Sequence, residues 1–93
     1  MNTYQRHPQV IWDTVDDEMT LCDTRDGQIY RLNHTGALIW LACQDTTAPQ
    51  IENTLRTAFP THPGHAMHDQ VTAYLATLVN LSLASVTRQG TPP

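Results

Sequence analysis

Apolar and polar positions alternate through the first third of the chain. Val10 and Trp12 point one way and Gln9, Ile11 and Asp13 the other, the period-two pattern of a half-buried strand. Asp16-Asp17 reads as a turn. Met19, Leu21 and Asp23 then share one face, with Thr20 and Cys22 on the other. Thr24-Arg25-Asp26-Gly27 reads as a tight connection, with Gly27 supplying the positive φ such hairpins need. Gln28–Leu32 reads as a third strand, Tyr30 and Leu32 on one face and Ile29 and Arg31 on the other. The pattern predicts a three-stranded antiparallel meander whose last strand has one neighbour and one free side.

At Asn33 the period changes. Asn33 is a candidate helix N-cap, with Thr35 the alternative. Gly36–Cys43 (GALIWLAC) is apolar all round, as in a short helix buried on most sides. Gln44-Asp45-Thr46 reads as a loop. Thr47-Ala48-Pro49-Gln50 fits a capping box, and the helix behind it carries Ile51, Leu55 and Ala58/Phe59 on one stripe until Pro60 stops it. After a breaker-rich loop, 61–66, a last helix is expected over Met67–Leu81, with Val71, Leu75 and Leu78 as one ridge and Tyr74, Leu78 and Leu81 widening it. Leu83 and Val86 continue the apolar pattern as a short pairing segment. The head, Met1–Pro8, and the tail, Arg88–Pro93, read as frayed. The expected fold is α+β and winged-helix-like, a three-stranded antiparallel sheet followed by three helices. Residues 1–93 form one domain, folded over about 9–86, with Trp12, Leu21, Ala37, Trp40, Ile51 and Leu55 in the core.

Length and charge narrow the functions open to such a fold. Ninety-three residues leave room for one domain, and at that size only ~60–65% of the unfolded surface can be buried. So thin a core argues against a self-sufficient enzyme with a deep cavity and favours a binding module. Charged residues are 15% of the chain, there is no Lys, and the formal charge is −4. Asp13, Asp16, Asp17, Glu18, Asp23 and Asp26 cluster early, either as a solvated turn region or as an attraction for a basic partner segment. Cys22 and Cys43 show no paired motif and are expected as free thiols in the core, in a reducing cytosol. No signal-like start is visible, and the longest apolar run, Ala37–Cys43, is far short of the ~20 residues a membrane span needs. A soluble, cytoplasmic protein without a membrane partner is expected.

The residues raise four kinds of chemistry. His62, His65 and His68 recur every third position, a spacing open to zinc or to a plain polar loop; no metal site is assigned. Catalysis finds no nucleophile elbow around Ser82 or Ser85 and no glycine-rich phosphate loop, so no catalytic residue is assigned. A winged-helix DNA-binding regulator is the alternative function, but the last helix holds no Arg or Lys to meet a polyanion, and no nucleic-acid partner is expected. The fourth is peptide capture at the free edge. The edge strand carries no Pro and one charge, and it adjoins a helix bearing Val71, Tyr74, Leu75 and Leu78. Main-chain hydrogen bonds would hold an extended guest while groove pockets read its side chains. Those apolar residues are equally good core, and the residues alone leave both readings open.

The segment Leu21–Trp40 (LCDTRDGQIYRLNHTGALIW) resembles the PqqD-like family, also called the RiPP recognition element, and in particular the small stand-alone members of lasso-peptide clusters. The likeness rests on Leu21, Asp23, Arg25 and Gly27 at the turn, then Tyr30, Leu32-Asn33, Thr35-Gly36-Ala37 and Ile39-Trp40 in register. It is looser downstream and covers roughly residues 9–84. The family frequently has a Gly-Leu-Leu-like ending where this chain reads Leu81-Ser82-Leu83-Ala84, and many members have Pro where it has His34.

The resemblance implies a non-catalytic leader-peptide-binding protein without a cofactor. The precursor's leader would join as a further strand, antiparallel to the third strand, in the cleft beside the third helix. The captured precursor would pass to a leader peptidase and an ATP-dependent ring-closing enzyme. Carried onto this chain, Gln28, Ile29, Tyr30, Arg31 and Leu32 supply the ladder. Tyr30 and Leu32 line the pockets with Val71, Tyr74, Leu75 and Leu78, and Arg25, Asp26 and Arg31 orient the leader at the rim. An exposed edge permits a monomer or a strand-swapped dimer.

Overall fold

A computed structural model describes residues 2–16, 18–60 and 64–88, with the side chains of 64 and 65 outside that description. In chain order the elements are β1 (Asn2–Arg6), β2 (Val10–Val15), β3 (Glu18–Asp23), β4 (Gln28–Leu32), α1 (His34–Ala42), β5 (Gln44–Thr47), α2 (Ala48–Ala58), α3 (Gly64–Asn80) and β6 (Ala84–Arg88). The expected meander is present as the antiparallel sheet β2-β3-β4, and three helices follow it in sequence, so the α+β expectation holds.

A second antiparallel sheet, β5-β1-β6, was not expected. The head, expected to be frayed, is strand β1, the segment after α1 is strand β5 rather than a loop, and Arg88 ends β6 rather than beginning a loose tail. β1 lies between the other two, with Thr3 opposite both Thr47 and Thr87. The rest of the tail, 89–93, lies outside the described residues, as does Asp17 of the turn.

Local chemistry explains the helix ends. Asn33 caps α1, its side chain accepting from the Gly36 N–H at 2.8 Å, so the helix begins at His34 rather than at Gly36. His34 therefore occupies the first helical position, where Pro is also well suited. The capping box of α2 forms as expected between Thr47 and Gln50. α3 begins three residues earlier than its apolar stripe suggested, at Gly64 rather than Met67. It closes with the Leu83 N–H on the Leu78 carbonyl and the Ser82 N–H on the Val79 carbonyl, Ser82 taking φ 60°.

The core lies where the β2-β3-β4 sheet meets the helices. Met19, Leu21 and Asp23 face inward as the alternation predicted, and Met19 and Leu21 join one apolar cluster with Ala37, Trp40, Ile51 and Leu55. Two core expectations fail. Trp12 points inward but sits on a sheet-edge strand and stays 40% exposed. Its ring stands edge-on to Trp40, with centroids 5.7 Å apart, and the Arg6 guanidinium lies over it at 4.6 Å. Cys22 lies half-buried on the outer face of the sheet, whereas Cys43 is buried.

Candidate functional site

Between β4 and α3 lies an open groove of about 380 Å³. Ile29, Tyr30, Arg31 and Leu32 form one wall, Tyr74, Thr77, Leu78 and Leu81 the other, and Leu83 lies at its end. On the far side of β4 no strand is paired among the described residues.

The hydrogen-bond register of that edge follows from its hairpin. The Thr24 N–H donates to the Gln9 carbonyl, so even-numbered residues of β3 turn their backbone groups toward β2. The Gly27 N–H reaches the Asp23 carbonyl on the opposite side. Met19, Leu21 and Asp23 therefore bond toward β4, to Leu32, Tyr30 and Gln28. Ile29 and Arg31 are left with N–H and C=O pointing away from the sheet. Of the five residues assigned to the ladder, Tyr30 and Leu32 are spent on β3, Gln28 pairs with Asp23 at the turn with its N–H on the Asp26 carboxylate, and Ile29 and Arg31 supply the open row.

The rim residues are likewise sorted. Arg25 forms a two-pronged ion pair with Asp23 at 2.8 Å in each arm and donates to the Ser82 carbonyl at 2.6 Å. That hydrogen-bonded guanidinium holds the Asp23 carboxyl below its ordinary pKa, and the carboxylate raises that of Arg25. The Asp26 carboxylate accepts from the Gln28 N–H at 3.0 Å. Arg25 and Asp26 are thus engaged in building the turn, and of the expected rim residues Arg31 is the one whose exposed side chain has neither a hydrogen bond nor an ion pair among the described residues.

On the helix side, Val71 and Leu75 are 0% and 1% exposed and lie beneath the groove rather than along it, because the ridge they form faces the core. Leu78 serves both, buried yet part of the wall. Tyr74 is half-buried, and burial raises the pKa of its phenol. The wall residues Thr77, Leu81 and Leu83 were missed. Tyr74, Thr77, Leu78 and Leu81 follow the i, i+3, i+4, i+7 spacing of one helix face, a signal that the hydroxyl of Thr77 disguises.

The other candidate chemistries gain little. His68 Nδ1 lies 3.0 Å from the Glu52 carboxylate, tying α3 to α2. His62 and the side chain of His65 lie outside the described residues, and among the described ones no three potential ligands converge. Burial pushes the Cys43 thiol up to about 11, so it stays protonated at neutral pH. No helix among the described residues is long and apolar enough to cross a membrane.

The fold and site define a small α+β domain whose β4 edge, unpaired among the described residues, lies beside an apolar groove. A family model described as coenzyme PQQ synthesis protein D (PqqD) matches residues 18–84, from the start of β3 to the start of β6, and the chain belongs to that family. Among solved structures, TbiB1 in complex with the TbiA(beta) leader peptide superposes with a TM-score of 0.77 at 18% identity, covering 87% of this chain and 94% of that one. Lasso peptide synthetase B1 complexed with the leader peptide superposes with a TM-score of 0.75 at 22% identity, covering 88% and 96%. No curated protein sequence matches the chain.

Proposed function

We propose that this protein is a non-catalytic leader-peptide recognition module of lasso-peptide biosynthesis, acting in the cytoplasm. It takes up the leader of a ribosomal precursor as an added strand on β4. It then presents that precursor to a leader peptidase and an ATP-dependent ring-forming enzyme. The observation that carries this reading is the outward row of Ile29 and Arg31 lying beside an apolar groove. Backbone groups fix an extended guest, and the groove takes alternate side chains. Two structures of the same fold, each solved with a leader peptide, support it. The alternative of a DNA-binding regulator is weaker, since α3 holds no Arg or Lys and the chain carries a formal −4.

Calorimetric titration with the synthetic leader of a precursor encoded beside this gene tests the reading. Saturable binding is expected. Absence of binding by a folded protein would end it. Co-purification with the peptidase and the ring-forming enzyme, with and without precursor, tests the delivery step.

A further inference from the structure

We infer that the guest strand is read on its outer side as well as in the groove: Arg31 selects an acidic residue, and Ile29 an apolar residue two positions further on. The inference rests on strand addition at β4. Residues directly opposite one another in an antiparallel pair project to the same face. Tyr30 and Leu32 face the groove side, so Ile29 and Arg31 project from the outer face of the sheet. Across that face run two rows, Ile11–Cys22–Ile29 and Asp13–Thr20–Arg31.

The first row is apolar and uncovered, with Ile11 58% and Ile29 57% exposed. A guest residue opposite Ile29 extends it, and an apolar side chain there removes the open flank of Ile29 from water. In the second row the cross-strand neighbour of Arg31 is the neutral Thr20. Asp13 lies two strands away, about 10 Å at ordinary strand spacing. Asp16 and Glu18 line the same hollow as Arg31 and oppose a guest acid. Both belong to the β2–β3 side, roughly two strand spacings from the guest and about a Debye length away, whereas a residue opposite Arg31 has its Cβ within about 5 Å. Distance therefore favours the attraction to Arg31. In an antiparallel guest the outward signature reads acidic, any, apolar along its own chain, the middle residue entering the groove beside Tyr30.

Selection from a displayed library of random peptides, run against the wild type and against Arg31→Glu and Arg31→Gln, tests this whatever the natural leader's sequence. Wild-type binders are expected to carry Asp or Glu two positions before an apolar residue. Arg31→Glu should enrich Lys or Arg at the same position, and Arg31→Gln should lose the charge preference. Synthetic peptides differing by Glu against Gln there should differ about two- to five-fold in affinity for the wild type, the scale of one exposed cross-strand pair. Binders whose charge preference is absent, or identical in all three proteins, would overturn the outer-face reading while leaving peptide capture standing. Failure of the folded wild type to enrich any peptide would remove both.

Discussion

The phenol of Tyr74 lies against Gly36 so closely that no methyl group fits between them. Gly36 stands on α1 and Tyr74 on α3, so the first helix sets the position of a groove-wall side chain on the third. Glycine is needed here for space rather than for backbone freedom. In an exposed helix Gly→Ala would gain about 1 kcal/mol. Here Gly36→Ala should instead destabilise by about 1–3 kcal/mol, the usual cost of overpacking. In a Tyr74→Ala background the same change should become neutral or favourable. Urea unfolding of the four proteins gives the answer, and equal effects in both backgrounds would show that Tyr74 is not the obstacle.

Two proline substitutions one residue apart should fail differently. The Ile29 N–H points outward, so Ile29→Pro should keep the fold and lose leader affinity. The Tyr30 N–H bonds to β3, so Tyr30→Pro should cost about 1–3 kcal/mol of stability through an orphaned carbonyl on Leu21. Thermal melts paired with leader titrations separate the two. Destabilisation by Ile29→Pro that matches Tyr30→Pro would mean the edge register is reversed.

Leu75 and Leu81 stand on the same helix region but should report different properties. Leu75→Ala should cost about 2–5 kcal/mol, as buried leucines do. Leu81 is 42% exposed at the groove, and Leu81→Ser should change stability by only about 0.5 kcal/mol while weakening peptide binding. Denaturation midpoints and binding isotherms on both variants check the contrast.

The Asp23–Arg25 pair predicts a pH signature. The folded-state pKa of Asp23 lies below its unfolded value of about 4, so its contribution is present above that value. It is lost as pH falls through the lowered folded value. Wild-type melting temperature should therefore drop below about pH 4 more steeply than that of Asp23→Asn. Parallel melting profiles from neutral pH into that range would count against the pair as a stabilising contact.

Local patterning made the meander and two helix starts legible. Met19, Leu21 and Asp23 alternate cleanly, Asn33 and Thr47 carry the right capping groups, and Gly27 does take φ 77°. The second sheet was hidden because its strands pair across most of the chain. Asn2–Arg6 carries little apolar alternation of its own and becomes a strand through Gln44–Thr47 and Ala84–Arg88. In the site, sequence located Gln28–Leu32 as the outer strand of its sheet, unpaired on one side among the described residues. It could not tell which side of α3 forms the groove, because Val71 and Leu75 are as apolar as Leu78 and Leu81. Nor could it show that Arg25, conspicuous as a rim cation, is already committed to Asp23 and Ser82.

The Arg25 bond to the Ser82 carbonyl ties the turn leading into β4 to the exit of α3. Toward the other end, Tyr74 is wedged onto the opening turn of α1. The cleft is thus braced near both extremities by contacts made within the chain itself. Contacts of this kind oppose widening of the cleft, so stiffening a peptide guest should tighten its complex more than stiffening the protein.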